Sequence, residues 1–444
     1  MSLDARNLHD RLVEFETVAG KPGRYVVAFS GGIDSTVLLH ALASAKALRN
    51  VPLMAVHVDH GLHADSAAWD SKCRAFAQGL GIDYESRKAH ISRSYPGGPE
   101  AAAREARYAI LGSLMQQSDW LISAHHENDQ AETLLLNLLR GSGLTGIAGI
   151  APLREFGPGY LVRPLLGISA AAIRAYADAR HLSWIDDPAN ADTSFDRNFL
   201  RQEVLPVLAA RWPAVATRLR QSADLAAEAS ELLAELADMD IAESPAADRL
   251  DIRALSLLSR ARQRNLIRQA VRRLGLPAPP ATRLYQAVHE LIPARSDAQP
   301  LVSWAGAEIR RYRDHLYLLA PLCEVAADPM ARLSPELALD LGTGQGSLVL
   351  QPADGVGIDR SVAARGLEVR YRMGGEEIAL PGQPHRHKLK NLLQHEGVVP
   401  WMRERIPLLY SADRLVAVAD LWLAAEFLAA GGYSVHWINR PELY

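Results

Sequence analysis

RYVVAFSGGIDSTVLLHALA, residues 24–43, decides the fold. The apolar run YVVAF stops at Ser30, Gly31 and Gly32 follow, and helix-forming sequence resumes at once. A buried strand turning sharply into a helix opens a parallel α/β unit, because a parallel neighbour is reached only through a crossover. The two glycines permit close backbone approach and unusual dihedrals. The turn amides and the helix N-terminus behind them point donors at an anion, and the Ser30 and Ser35 hydroxyls add to them. The loop lacks the lysine of G-x-x-x-x-G-K-[ST], which weakens any case for γ-phosphoryl transfer. Asp34 is out of place beside an anion unless a divalent cation or a substrate ammonium sits between them. A bare Gly-Gly pair usually makes only a tight turn. S-G-G-x-D-S set between strand and helix favours the anion.

Around this loop the first two hundred residues alternate short apolar runs with helical patterns. Residues 25–29, 53–58 and 119–124 read as buried strands, and residues 36–47, 66–79 and 100–115 as helices. That alternation predicts an α/β fold with a doubly wound parallel sheet. Ligands gather beyond the carboxyl ends of such strands. The three most unusual polar clusters stand there: SGGIDS, HVDHGLHADS and AHHENDQAET. Three clusters at three strand ends predict one shared site.

The chain has 444 residues, 48% of them apolar, so it can bury more than one core. A net charge of −3 does not announce a nucleic-acid binder, and local charge has to decide that point. Cys73 and Cys323, the only cysteines, offer neither a CxxC pair nor a disulfide framework. The charged N-terminus lacks a signal-peptide core, and the apolar stretch near the end is interrupted by Asp420 and Glu426. The expectation is a cytoplasmic protein without a membrane span; a homo-oligomer is compatible with the sequence.

Four regions follow from the composition. Residues 1–210 form the α/β domain. Residues 211–320 read as a mainly helical middle domain, in which an acidic helix pattern precedes a basic one with Arg260, Arg264, Arg268 and Arg272 on one face. Residues 321–360 read as a loosely structured connector. Residues 361–444 read as a small α+β module with a second basic cluster, HRHKLK at 385–390, followed by Trp401, Arg403 and Arg405.

The SGGIDS loop resembles the pyrophosphate loop of the N-type ATP pyrophosphatases, with an adenine nucleotide alpha hydrolase-like fold. The ordered set HVDHGLHADS, AAAREARY, SAHHENDQAETLLLNLLRGSG, RPLL and DDPANADTSFDRNFLRQEVLPVL is far more specific, as is the tail from RMGGEEIALPG onward. Together these resemble the tRNA(Ile)-lysidine synthetase family. The resemblance covers the first two hundred and last eighty residues strongly and the middle in general character. It implies a two-step ligation. The C2 oxygen of the wobble cytidine in tRNA(Ile) with a CAU anticodon is adenylated by ATP, and pyrophosphate leaves. L-lysine then attacks C2 through its ε-amine and AMP leaves, which changes the decoding from methionine to isoleucine. One departure stands out: Asn128 occupies the first aspartate position of the family's HHxDDQxET stretch, and Asp129 keeps the second.

The expected roles follow. Ser30, Gly31, Gly32, Ile33 and Ser35 hold the pyrophosphate, and Asp34 contacts Mg²⁺ or the incoming lysine. Asp129 and Glu132, three apart on one helix face, suit recognition of the lysine ammonium and removal of its proton. His125 and Arg104 neutralise phosphate charge at the adenylate. Arg197 and Arg201 contact substrate or an anticodon phosphate. Arg264, Arg268, Arg386, Lys388, Lys390 and Arg403 bind tRNA phosphates; for the middle stripe, pairing with the preceding acidic helix is the rival. His57, Asp59, His60 and His63 invite a zinc reading, but packing at the sheet edge is preferred because no cysteine completes the set. Three other activities are weaker. Cytidine thiolation calls for paired or clustered cysteines, an amidotransferase calls for a glutaminase region, and a bare RNA-binding module leaves the strand-end clusters unexplained.

Overall fold

The computed structural model describes residues 3–59, 61, 65–89, 98–241, 248–295, 298–323, 332–335 and 337–444. The chain divides into two units, Met1–Leu233 and Ala234–Tyr444.

In the first unit the opening strand, β1 (Arg24–Ala28), lies near the middle of a six-stranded sheet. The others are β2 (Leu53–Asp59), β3 (Asp83–Lys88), β4 (Asp119–Ile122), β5 (Leu153–Phe156) and β6 (Gly159–Val162), in the order β3-β2-β1-β4-β6-β5. All pairs are parallel except β5 with β6. Side chains alternate across β1, so its neighbours in sequence enter different cores. Tyr25 and Val27 pack on one face with Leu8 and Leu12 of α1 (Ala5–Ala19), Val37 and Leu38 of α2 (Ile33–Arg49), and Cys73 of α3 (Ser66–Gly79). Val26 packs on the other face with Leu111 of α4 (Gly98–Ser113). The doubly wound parallel architecture is the expected one.

Strand β3 has no counterpart in the sequence reading. DYESRK carries almost no apolar signal because an edge strand buries little, and its pairing with β2 supplies the order instead. The expected third strand is therefore the fourth. The chain runs outward from β1 through β2 to β3 and then returns to β1's other side as β4. The order reverses between β1 and β4, and a crevice opens at such a reversal.

The second unit is helical through Ile252–Leu257, Arg260–Arg273 and Ala281–Gln286, as expected for the middle. The rest of the region, from Leu301, is strand rather than helix. Leu301–Trp304, Ala307–Tyr312, His315–Leu319 and Arg249–Asp251 form a four-stranded antiparallel sheet. Their alternating apolar residues, Val302, Ile309, Leu316 and Leu318, bury against Leu266, Ile267 and Val288 of the helices. The expected connector is also partly ordered into the tail. Ser347–Pro352 and Val356–Ile358 pair with Tyr433–Ile438, because Leu348, Leu350 and Ile358 supply core to that sheet. A second five-stranded antiparallel sheet, including Leu408–Ser411 and Arg414–Val418, completes the module. Among the described residues no helix is long and apolar enough to cross a membrane.

Candidate active site

The loop after β1 is built around Gly31. Its φ is +85°, and a Cβ there would come within 2.7 Å of both Cys73 Sγ and Ile185 Cδ1. Only glycine fits. The Gly31 carbonyl accepts from the Ile185 amide at 2.9 Å and from Thr36 Oγ1 at 3.2 Å, which ties the loop to a distant segment and to α2. Ser35 Oγ donates to the Gly32 carbonyl at 3.0 Å and lies 3.1 Å from Ser30 Oγ. Ile33 turns its side chain to the core, so it serves the loop through its backbone. Cys73 is buried behind the loop, and burial pushes its thiol up to about 12. It is poorly placed for the thiolate chemistry that sulfur transfer requires.

A cavity of about 430 Å³ opens beside this loop. Ser30, Gly32, Asp34 and Ser35 border it from β1 and α2, His57 and Asp59 from β2, and His125 and Asp129 from the segment after β4. Phe29, Val56, Val58, Leu111 and Leu121 give it an apolar wall. The three strand-end clusters thus meet at one cavity. His57 Nδ1 lies 3.0 Å from the Phe29 carbonyl, consistent with a packing role, whereas His60 and His63 fall outside the described residues. Asp59 Oδ1 accepts from the Gly61 amide at 2.8 Å.

Helix α5 (Glu127–Leu139) begins with a reciprocal cap. His126 Nδ1 accepts from the Asn128 amide at 3.2 Å, and Asp129 Oδ2 accepts from the His126 amide at 2.9 Å. That bond assigns the proton to His126 Nε2, which lies 3.6 Å from both Asp34 Oδ1 and Asp129 Oδ2. His126, buried and central, was missed by the sequence reading. Its signal was a polar residue three before Asp129 at a helix start. Asn128 faces away from the carboxylates: its Oδ1 accepts from the Ala170 amide at 3.4 Å.

Asp129 and Glu132 share a face as expected; Asp129 borders the cavity, Glu132 does not, and both are held by arginines. Arg197 donates from Nε to Glu132 Oε2 at 2.8 Å and from Nη2 to Asp129 Oδ1 at 2.9 Å. Arg201 donates from Nε to Glu132 Oε1 at 2.6 Å, and from Nη2 to Glu132 Oε2 at 2.9 Å and Asp129 Oδ1 at 3.2 Å. Glu132 is 0% exposed. Arg197 lies on the short helix Asp196–Phe199, whereas Arg201 lies in the π-helical stretch Leu200–Val204. Two arginines four apart thus face two carboxylates three apart. These guanidinium groups are engaged by the two carboxylates, because a buried carboxylate needs a hydrogen-bonded cation beside it.

The charges differ around the site. Burial raises the Asp34 carboxyl above its ordinary value; His126 opposes this, and Asp129 adds to it. Burial also works to raise Asp129, but His126 and Arg197 outweigh it and hold that carboxyl low. Asp34 is the more accessible, with its side chain 40% exposed. Burial pushes His125 down to about 3 against the pull of Asp129, with Arg163, Arg197 and Arg104 contributing. A group held that low is neutral at neutral pH, and its Nδ1 lies 2.9 Å from Ser123 Oγ. Arg104 does not line the cavity, and Arg107 and Tyr108, one turn along α4, do.

In the second unit Arg264 lies over the Tyr285 ring at 4.6 Å from its centroid, and Arg268 is exposed. The acidic helix pairs with Arg262 through Asp240 and with Arg273 through Asp238, leaving the arginines at 260, 264, 268 and 272 outside those pairs. Arg386, Lys388 and Lys390 are exposed. Arg403 is not: it donates from Nε to the Val398 carbonyl and from Nη2 to the Tyr312 hydroxyl, both at 2.9 Å. It joins the sheet of the middle region to the tail.

Residues 5–208 match the PP-loop domain family, residues 250–317 the TilS substrate binding domain and residues 367–437 the TilS substrate C-terminal domain. The tRNA(Ile)-lysidine synthase of Alkalilimnicola ehrlichii is 42% identical over 96% of this chain and 95% of that protein. The enzyme of the same name from Methylococcus capsulatus is 42% identical over 93% of this chain and 96% of that protein. Among solved structures, the U34-tRNA thiolase NcsA from Methanococcus maripaludis is similar over 49% of this chain and 78% of its own, with 18% identity and a TM-score of 0.40.

Proposed function

Because the chain belongs to the tRNA(Ile)-lysidine synthase family, we propose that the cavity at the ends of β1, β2 and β4 carries out both halves of lysidine formation. The protein is a ligase that uses ATP to form lysidine on tRNA(Ile). In the first half the C2 oxygen of the wobble cytidine attacks the α-phosphorus of ATP, and the bond to pyrophosphate breaks. The Ser30–Ser35 loop receives the pyrophosphate on backbone amides and hydroxyls. The apolar wall of the cavity takes the adenine.

In the second half the ε-amine of L-lysine attacks C2, the bond to AMP breaks and the amine gives up its proton. Asp34 is our candidate for holding the ammonium and taking that proton, since its carboxyl opens to the cavity and burial raises its basicity. Asp129 completes the ammonium site, while Glu132 fixes Arg197 and Arg201. Mg²⁺ binds through one or two carboxylates together with phosphates, a donor set that Asp34 and ATP can supply, and it would offset charge on the leaving pyrophosphate. Arg264, Arg268, Arg386, Lys388 and Lys390 are candidates for tRNA phosphate contacts in the second unit. The setting is the cytoplasm, where tRNA and ATP meet.

The convergence of three strand-end clusters on one cavity supports this reading. The test is incorporation of labelled lysine into unmodified tRNA(Ile) with a CAU anticodon. We expect incorporation that depends on ATP and Mg²⁺; none in their presence overturns the reading.

A further inference from the structure

Four arginines gather around one phenol beside the cavity. Arg104 and Arg154 lie over the Tyr108 ring, 5.5 and 5.8 Å from its centroid. Arg163, 4% exposed, donates from Nη1 to the Ala151 carbonyl at 2.5 Å, and its buried Nε has no partner among the described residues. Arg107, with Tyr108, borders the cavity itself. Among the described residues Arg104, Arg154 and Arg163 have no carboxylate partner. Burial lowers the pKa of Arg107 and Arg163, Tyr108 opposes this, and the neighbouring arginines add to it. Arg104, Arg154 and Arg163, gathered at one ring without a carboxylate, repel one another, and a shared anion relieves the repulsion.

We propose that this cluster binds a backbone phosphate of the RNA next to the nucleotide being modified. ATP is the less fitting ligand, because its phosphates already have the Ser30–Ser35 loop and because the cluster leads away from the cavity. Arg107 borders the cavity, while Arg154 is exposed and lies outside its lining. A ligand that follows this path enters with one group and leaves its chain outside, as a polynucleotide does when a single base is turned into a pocket. Guanidinium forks match phosphate oxygens in pairs, which suits arginine rather than lysine at every position.

The proposal rests on the lysidine reading, and the experiment separates the two. Lysine incorporation by the unaltered chain checks the reading. Arg154→Gln and Arg154→Lys check the site, with binding of unmodified tRNA(Ile) measured across a salt series, alongside ATP binding and thermal unfolding. For Arg154→Gln we expect tRNA affinity to fall roughly three- to tenfold and the slope of log affinity against log salt to shrink by about 0.7–1, the loss of one phosphate contact. ATP affinity and melting temperature stay unchanged, and Arg154→Lys restores most of the salt slope. Unchanged tRNA affinity, a loss without a change of slope, or weaker ATP binding with normal tRNA binding overturns the proposal.

Discussion

Arg201 grips Glu132 with both arms of its guanidinium, Nε on Oε1 at 2.6 Å and Nη2 on Oε2 at 2.9 Å, and the carboxylate it holds is 0% exposed. Charges paired this way stabilise little as a pair but cost a great deal when one is removed. Glu132→Ala leaves Arg197 and Arg201 facing each other beside Asp129. We expect a loss of roughly 3–5 kcal/mol of stability. A lower denaturant midpoint with an unchanged m-value checks it, and near-normal stability refutes the structural role given to Glu132.

Asp34 and Asp129 respond to pH in opposite directions. Asp34 has a raised folded pKa, so its contribution to stability is fully present below the ordinary value of 3.8 and is lost as pH rises through the folded pKa. Asp129 has a lowered one, so its contribution is present above 3.8 and is lost as pH falls through the folded pKa. Asp34→Asn should therefore melt higher than the unaltered protein at pH 7, with the gain vanishing below about pH 4. Lysidine formation should fall by about a hundredfold or more. A variant that is active, or that melts lower at pH 7, contradicts the placement of Asp34.

The two loop glycines are not equivalent. Alanine at Gly31 drives a Cβ to 2.7 Å from Cys73 Sγ and Ile185 Cδ1 at a φ of +85°, whereas at Gly32 the nearest atom is Ser30 Oγ at 3.6 Å. Gly31→Ala should cost roughly 1–3 kcal/mol from overpacking, with further strain from the backbone. Gly32→Ala should fold normally. Equal melting temperatures for the two variants would be inconsistent with this geometry.

Arg403 and Lys388 separate structure from binding. Arg403→Ala leaves the Tyr312 hydroxyl and the Val398 carbonyl without their partner and should destabilise the protein by about 1–3 kcal/mol. Lys388→Ala, at an exposed position, should leave stability unchanged and reduce the salt dependence of tRNA binding. The reverse assignment of effects would restore Arg403 as the RNA contact.

Much of the first unit was legible because its signals are local. The runs at 25–29 and 53–58 are apolar enough to be read as buried strands, and SGGIDS marks the turn into α2. β3 was not legible, because an edge strand needs no apolar pattern, and neither were the short strands after residue 300, whose alternation spans only four to six residues each. Within the site, residue types were readable but partners were not. Arg197 lies 65 residues from Glu132 along the chain, and no spacing rule connects them.

By itself the sequence determined the parallel α/β scaffold, the anion-holding loop and the clusters that meet beside it, since strand–turn–helix patterning and glycine conformation act over a few residues. The tertiary structure decided which charges are available. It closed Glu132 with two arginines, left Asp34 open, kept His125 neutral, drew Arg403 into a structural joint and gathered four arginines around Tyr108. Burial and partner distance set the cost of each charge, and both depend on chain segments that meet only in the folded protein.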